Sequence, residues 1–259
     1  MKIVTQKKIV ESKYQLLTMH YNAGVGHIGG NLSSLDFLIV LFNEFLSKNH
    51  KFILSKGHSA GALYIAMWSA KLLSDSYLKT FHGNNTFLPG HPPINKFPSI
   101  VFSTGSLGHG LSLSSGIALA NKIKQNKNIT YCLTSDGEWQ EGSTWEALIF
   151  ACHHKLKNLN IIIDKNNLQG FGKTASVSSM EDLKVKLSPF DLVLFEIDGH
   201  NINEIRHTLS KKTNKVKVII LNTIKGNGVS FMENRLEWHY KSLSHKQYLQ
   251  AIKELGYER

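Results

Sequence analysis

Arginine is almost missing from this sequence. Of 30 basic residues only Arg206, Arg235 and Arg259 are arginine, and they are scattered, which leaves 30 − 3 = 27 lysines. Reading of bases and phosphates leans on arginine forks, and no basic run is interleaved with aromatics, so nucleic acid is not an expected partner despite a formal net charge of +11. A solvated lysine surface favours acidic partners or anionic substrates instead. Long apolar runs are missing too. The stretch from Phe37 to Phe42 is far shorter than the ~20 residues a membrane span needs, and the start "MKIVTQKKIVES" has no apolar signal core, so no membrane association is expected and the cytoplasm is the expected location. Cysteine is represented only by Cys132, inside a strand-like run, and Cys152, in a helical one, which excludes a disulfide framework and points to free thiols. A zinc site has no support either: short-spaced Cys/His pairs and an H-E-x-x-H helix are both lacking. Four of the five prolines (Pro89, Pro92, Pro93, Pro98) fall close together and mark one ordered loop rather than a linker.

The rest of the chain is regular. With 259 residues, 42% of them hydrophobic, it is long enough for a large core, and residues 1–259 are expected to form a single domain. Amphipathic helices are predicted over 7–22, 34–46 (opened by Ser33, with Asp36 at the capping-box spacing), 59–72 and 75–81. From there apolar β-rich runs at 129–133, 160–163, 191–197 and 216–221 alternate with helical stretches at 110–125, 143–156, 180–187 and 201–212. That alternation predicts an α/β fold, a doubly wound and mostly parallel sheet with helices on both faces.

Three carboxylates crowd the segment "SDGEWQEG" (135–142), directly behind the run "ITYCL". Asp136 follows one strand and Asn166 the next; 166 − 136 = 30 residues, about one strand-helix-strand unit, so both emerge at one sheet edge. Neighbouring strands lie roughly 4.8 Å apart, close enough for two oxygen ligands to share one cation. Magnesium is implied, with calcium as a possible substitute, and a diphosphate would complete the coordination shell. Motifs "DGHN" (198–201) and "IKGNG" (224–228) share that edge, and Lys225 could reach an anion there. The turn "GSLGHG" (105–110) opens a helix whose free amides would favour phosphate or the close approach of a flat ring. Six of the 13 histidines (His27, His58, His82, His91, His109, His200) adjoin a glycine, where chance gives about two, which as a set marks a polar, loop-built site.

Taken in order, "GHIGGNLSSLDFL", "LSKGHSAGALY", "LPGHPP", "FSTGSLGHGLSLSSGIALA", "SDGEWQEGSTWEA", "IIIDKNNLQ", "DGHN", "TIKGNGVSFME" and "EWH" closely resemble the amino-terminal half of transketolase, from Gly24 to His239. The resemblance implies thiamine diphosphate as cofactor. It implies that Asp136, Asn166 and the backbone carbonyl of Leu168 hold magnesium on the diphosphate, beside Gly137 and Glu138. Glu138 is otherwise expected to be a solvated loop charge. His58 and His239 would contact the diphosphate and the reaction centre, His27 and His91 would face the hydroxyls of the donor sugar, and Gly105, Ser106 and Leu107 would line the thiamine rings. Glu141 resembles a glutamate at the family's dimer interface. The implied activity is transfer of a two-carbon ketol unit from a ketose (phosphate) to an aldose (phosphate), with thiamine as electron sink and histidines moving protons.

Some positions depart from the family. Ser135 replaces the first glycine of "GDG", His109 stands where glutamine is common and Tyr240 where glycine often follows the histidine, and the last two bear on substrate preference. Transketolases continue into a pyrimidine-binding domain, and this chain stops before it. The resemblance therefore implies a partner, the C-terminal transketolase subunit carrying that domain, in an α2β2 heterotetramer. Two other readings stay open: the α subunit of a 2-oxo acid dehydrogenase, which usually lacks the histidines of "GHIGG", "SKGHS" and "LPGHP", and a non-catalytic scaffold subunit.

Overall fold

The alternating apolar segments pair into one sheet whose five strands all run parallel. A computed structural model describes residues 3–94, 96–179 and 182–257. In chain order the elements are α1 (Gln6–Ala23), α2 (Ile28–Val40), a π-helical turn (Leu41–Phe45), β1 (Lys51–Leu54), α3 (Ala60–Ser69), α4 (Asp75–Leu78), α5 (Gly110–Ile123), β2 (Thr130–Ser135), α6 (Gly142–His153), β3 (Leu159–Lys165), β4 (Leu168–Gln169), β5 (Gly172–Lys173), α7 (Thr174–Val177), α8 (Leu183–Leu187), β6 (Leu192–Asp198), α9 (Ile202–Ser210), β7 (Val216–Asn222) and α10 (His245–Leu255). The sheet order is β1-β2-β3-β7-β6, and β4 and β5 form a separate antiparallel hairpin.

Strand alternation divides the core between two faces, as the period of two requires. Cys132, Ile161, Ile163, Val218 and Ile220 pack beneath Leu111 and Ala118 of α5, Leu148 and Ala151 of α6, and Leu183 and Leu187 of α8. Their neighbours Tyr131, Leu133, Ile162, Ile219 and Leu221 face the other way, against α1, α2, α3 and α9. Each such side chain contributes about 1.5–3 kcal/mol by leaving water. Helices on both faces make the sheet doubly wound.

The structure corrects several boundaries. The helix expected from residue 34 begins at Ile28, with His27 as N-cap in a left-handed conformation (φ 65°), and every residue of α2 is buried. Ser33 is therefore no cap. It lies inside the helix, and its hydroxyl donates to Asp164 Oδ2 at 2.6 Å. Helix α4 ends at Leu78 rather than 81, and α3 at Ser69 rather than 72. The helix expected over 180–187 is seen only as α8, and residues 180 and 181 lie outside the described residues. Strand β1 was not anticipated: four residues behind a polar segment give too short a pattern, and register with β2 (Lys51↔Thr130 to Leu54↔Leu133) decides it.

At the π-helical turn Glu44 accepts from Arg206 Nε (2.7 Å) and Nη2 (2.8 Å) and from the Val4 amide (2.7 Å), tying the start of the chain to α9. Burial alone would raise the Glu44 carboxyl, but the Arg206 fork and the amide hold it below its ordinary value. Its contribution is therefore present above the ordinary carboxylate range and lost as pH falls through the lowered folded value. Glu44→Gln should lower stability by about 1–3 kcal/mol at pH 7, and the difference from wild type should shrink as acid titrates Glu44, as urea unfolding at pH 7 and below pH 4 would measure.

Candidate active site

Asp136 and Asn166, the two residues that spacing assigns to one sheet edge, line the same cleft. Strands β2 and β3 are neighbours with Ser135 paired to Asp164, and the Asp136 amide donates to the Asp164 carbonyl at 3.1 Å. Asp136 Oδ1 accepts from the Gly137 amide at 2.8 Å and Oδ2 from the Asn167 amide at 2.5 Å. Asn166 Oδ1 accepts from the Leu168 amide at 3.0 Å, which folds the chain back into β4. Asp136 and Asn166 are both buried and both line one cleft of about 170 Å³, together with Leu168. A larger cleft of about 430 Å³, around Leu46, Phe52, Met67 and Phe97, contains none of these groups.

Beneath the cleft lies a carboxylate that sequence reading did not single out. Asp164 is fully buried and accepts from Ser33 of α2, Lys56 Nζ and Thr223 Oγ1. Burial alone would raise its pKa, but Lys56 and these hydrogen bonds hold it below the usual carboxylate range. Lys56 Nζ also donates to the Gly30 carbonyl at 3.1 Å. The signal was available: Lys56 stands in "LSKGHS" just past β1, at the same sheet edge as the end of β3.

Above this pair gather the histidines. Gly26 abuts the Tyr240 carbonyl so closely that a Cβ would sit 2.3 Å from its oxygen, and this contact lets the His27 amide donate to the His239 carbonyl at 3.1 Å. The rings of His27, His58 and His239 then lie 5.2 to 5.8 Å apart, centroid to centroid, with His91 at 6.5 Å from His27 on the exposed side. Burial, followed by Lys225, pulls His239 down to about 3; burial also lowers His58 and His27, with Lys56 and His91 respectively the next causes. These three rings are neutral at pH 7. Lys225 Nζ lies 3.0 Å from His239 Nδ1, and burial followed by the Lys56 charge lowers it to about 8.

The glycine-rich turn differs from expectation. Two of its amides are already taken: Gly108 N donates to Glu138 Oε1 at 2.8 Å and Gly110 N to Ser55 Oγ at 3.1 Å. Glu138 is accordingly no solvated loop charge; it is wholly buried, also accepts from Ser55 Oγ, and fixes the turn from below. Gly137 and Leu107 line the cleft with Lys225, Gly105 packs against His91, and Ser106 is exposed outside it. Sequence reading missed Phe171, 85% exposed at the hairpin tip beside Tyr240.

Does this site suit a divalent ion? Among the described residues no group of three His, Cys, Asp or Glu could hold a metal, so an ion held here would need amide or carbonyl oxygens beside the Asp136 carboxylate. The carboxylate itself favours a cation. Burial, then repulsion from Asp164, lifts Asp136 to about 7, because two amide donors do not offset the loss of water. A divalent ion there would restore the charged form, and an anion beside Lys225 would do the same for the lysine.

Residues 6–259 match the family model "Transketolase, thiamine diphosphate binding domain". The chain belongs to the transketolase family. It is 38% identical to an apulose-4-phosphate transketolase subunit of Actinobacillus succinogenes, over 96% of this chain and 94% of that protein. It is 35% identical to the 6-deoxy-6-sulfo-D-fructose transketolase subunit SqwG of a Clostridium species, over 91% of this chain and 90% of that protein. The crystal structure of transketolase from Campylobacter jejuni superposes with a TM-score of 0.91 at 28% identity; all of this chain is covered but only 44% of that one. This transketolase-family chain thus spans less than half of the solved relative and nearly all of the proteins named as subunits.

Breaking the buried pair should be costly, since it leaves a lone charge in the core. Lys56→Met is expected to lose about 3–5 kcal/mol in chemical denaturation, and a loss below about 1 kcal/mol would show that the pair does not hold the site together.

Proposed function

We propose that this chain is the diphosphate-binding subunit of a split transketolase. The observation that carries the reading is one cleft lined by Asp136, Asn166, His58, Lys225 and His239, where burial raises the Asp136 carboxyl to about 7 and lowers the Lys225 ammonium to about 8. A divalent cation with an anionic tail relieves both. Asp136, Asn166 and the carbonyl of Leu168 would hold magnesium, with calcium as a substitute, and Lys225 and His58 would meet the diphosphate of thiamine diphosphate. The bound cofactor supplies the nucleophilic carbon and the electron sink needed to break a carbon-carbon bond beside a ketone. His27 and His91 would orient the ketose hydroxyls. His239, whose Nδ1 accepts from the Lys225 ammonium, would carry its hydrogen on Nε2 and donate it to a substrate oxygen.

The two-carbon donor and acceptor are a ketose and an aldose, with or without phosphate. Relatives named for apulose-4-phosphate and for a sulfonated fructose carry different anionic groups, so family membership leaves that end of the substrate open.

The partner would be a C-terminal subunit with the pyrimidine-binding domain, in an α2β2 assembly. Support comes from relatives that are named as transketolase subunits and match almost end to end, and from large apolar side chains left exposed on α5 and α6: Ile123 (71%), Ile149 (56%) and Phe150 (39%). Among the described residues no helix is long and apolar enough to cross a membrane, and Cys132 and Cys152 are free thiols; both fit the expected cytoplasmic location.

Calorimetry with thiamine diphosphate and Mg²⁺ tests the reading. Wild type should bind and Asp136→Ala should not, while circular dichroism shows both folded. Ketol transfer from fructose 6-phosphate or another ketose should need an added pyrimidine-domain chain; robust transfer by this chain alone would overturn the split arrangement, and no cofactor binding with the partner present would leave a scaffold subunit.

A further inference from the structure

Motif "DGHN" lies outside the cleft, yet its histidine connects to it. Asp198 ends β6, Gly199 is pressed against Thr223 with no room for a side chain (a Cβ would lie 2.4 Å from Thr223 Cγ2), and Asn201 caps α9 by accepting from the amides of Asn203 (3.1 Å) and Glu204 (3.2 Å). His200 does something else. Its Nε2 accepts from the Ile224 amide at 2.9 Å, and its Nδ1 lies 2.8 Å from Asp36 Oδ2. An amide can only donate, so Nε2 is the acceptor and Nδ1 carries the hydrogen given to Asp36. The same Asp36 oxygen meets Lys13 Nζ at 3.4 Å, and Lys13 Nζ donates to Asn227 Oδ1. Asp36 is 2% exposed on α2, so this carboxylate reaches both ends of the segment 224–227, one through His200 and one through Lys13.

Between those ends sits Lys225. Its own loop is permissive: Gly226 and Gly228 both take left-handed φ, 82° and 88°, a conformation in which glycine is cheap and stiffness low. Besides the clamp, the segment is held by the Gly226 amide donating to Gly29 (2.9 Å) and the Lys225 carbonyl accepting from Asn234 (2.9 Å). Restraints on the flanks of such a loop narrow the positions from which it presents the lysine.

We infer that Lys13, Asp36 and His200 are positioning residues: from outside the cleft they clamp the segment 224–227 and thereby hold the Lys225 ammonium against His239. The inference rests on the reading of Lys225 as a cofactor-cleft residue. Loss of the clamp lets the ammonium drift without removing any group that touches cofactor or substrate.

Two readouts on the full chain test it. In ¹³C,¹⁵N-histidine-labelled protein without cofactor, with the His239 ring signal assigned through His239→Gln, His200→Phe and Asp36→Asn should shift that signal toward its position in Lys225→Met. His200→Gln, whose amide oxygen can still accept from Ile224, should keep it near wild type. Calorimetry with thiamine diphosphate and Mg²⁺ should show His200→Phe weakened on the order of tenfold and His200→Gln much less. An unmoved His239 signal in both His200→Phe and Asp36→Asn overturns the clamp. If His200→Phe does not fold, Lys13→Met and Asn227→Ala read the other arm by the same signal, with the same two meanings. Failure of wild type to bind the cofactor would instead overturn the proposed function, and the His239 signal would still decide the clamp.

Discussion

Asp164 is a carboxylate with no access to water, at the point where α2 and the loops behind β1, β2 and β7 meet the end of β3. It takes hydrogen bonds from Ser33 of α2, Lys56 behind β1 and Thr223 behind β7, while its own backbone carbonyl receives the amide of Asp136. Burying such a charge alone would cost several kcal/mol, and the three side-chain donors together offset that cost. These bonds set the distances among the loops at the carboxyl ends of β1, β2, β3 and β7. The position of Asp136 over the cleft follows, and so does that of Gly30, whose carbonyl accepts from the same lysine.

Above this satisfied centre the electrostatics change character. Asp136 and Lys225 are buried with too little compensation, and burial moves them in opposite directions, up for the acid and down for the base. The clustered histidines are kept neutral by the same loss of water. A ligand set bringing both signs of charge, as in the proposed metal and diphosphate, would compensate both groups.

Much of this was legible in the sequence, and the parts that were not share a cause. The interval from Asp136 to Asn166 spans one strand-helix-strand unit, so a one-dimensional count became a three-dimensional meeting as soon as β2 and β3 proved adjacent. Alternating apolar runs gave four of the five sheet strands. Strand β1 escaped because four residues carry no clear period, and with it went the reason Lys56 reaches the site. Glu138 and Ser33 were misplaced for one reason: local rules send a loop acid to solvent and a serine before an acidic residue to a helix start, whereas tertiary partners, the Gly108 amide and Asp164, claimed them instead. The turn at 105–110 shows the limit of motif reading, since two of its amides, those of Gly108 and Gly110, serve Glu138 and Ser55.

The central claim is that the oxygens of Asp136 and Asn166 hold a divalent ion which in turn grips a diphosphate. Electron-nuclear double resonance on the chain loaded with Mn²⁺ and thiamine diphosphate measures this directly. The account predicts strong ³¹P coupling to the manganese, lost in Asp136→Asn. Manganese bound without phosphorus coupling, or coupling that survives the loss of that carboxylate, would contradict it.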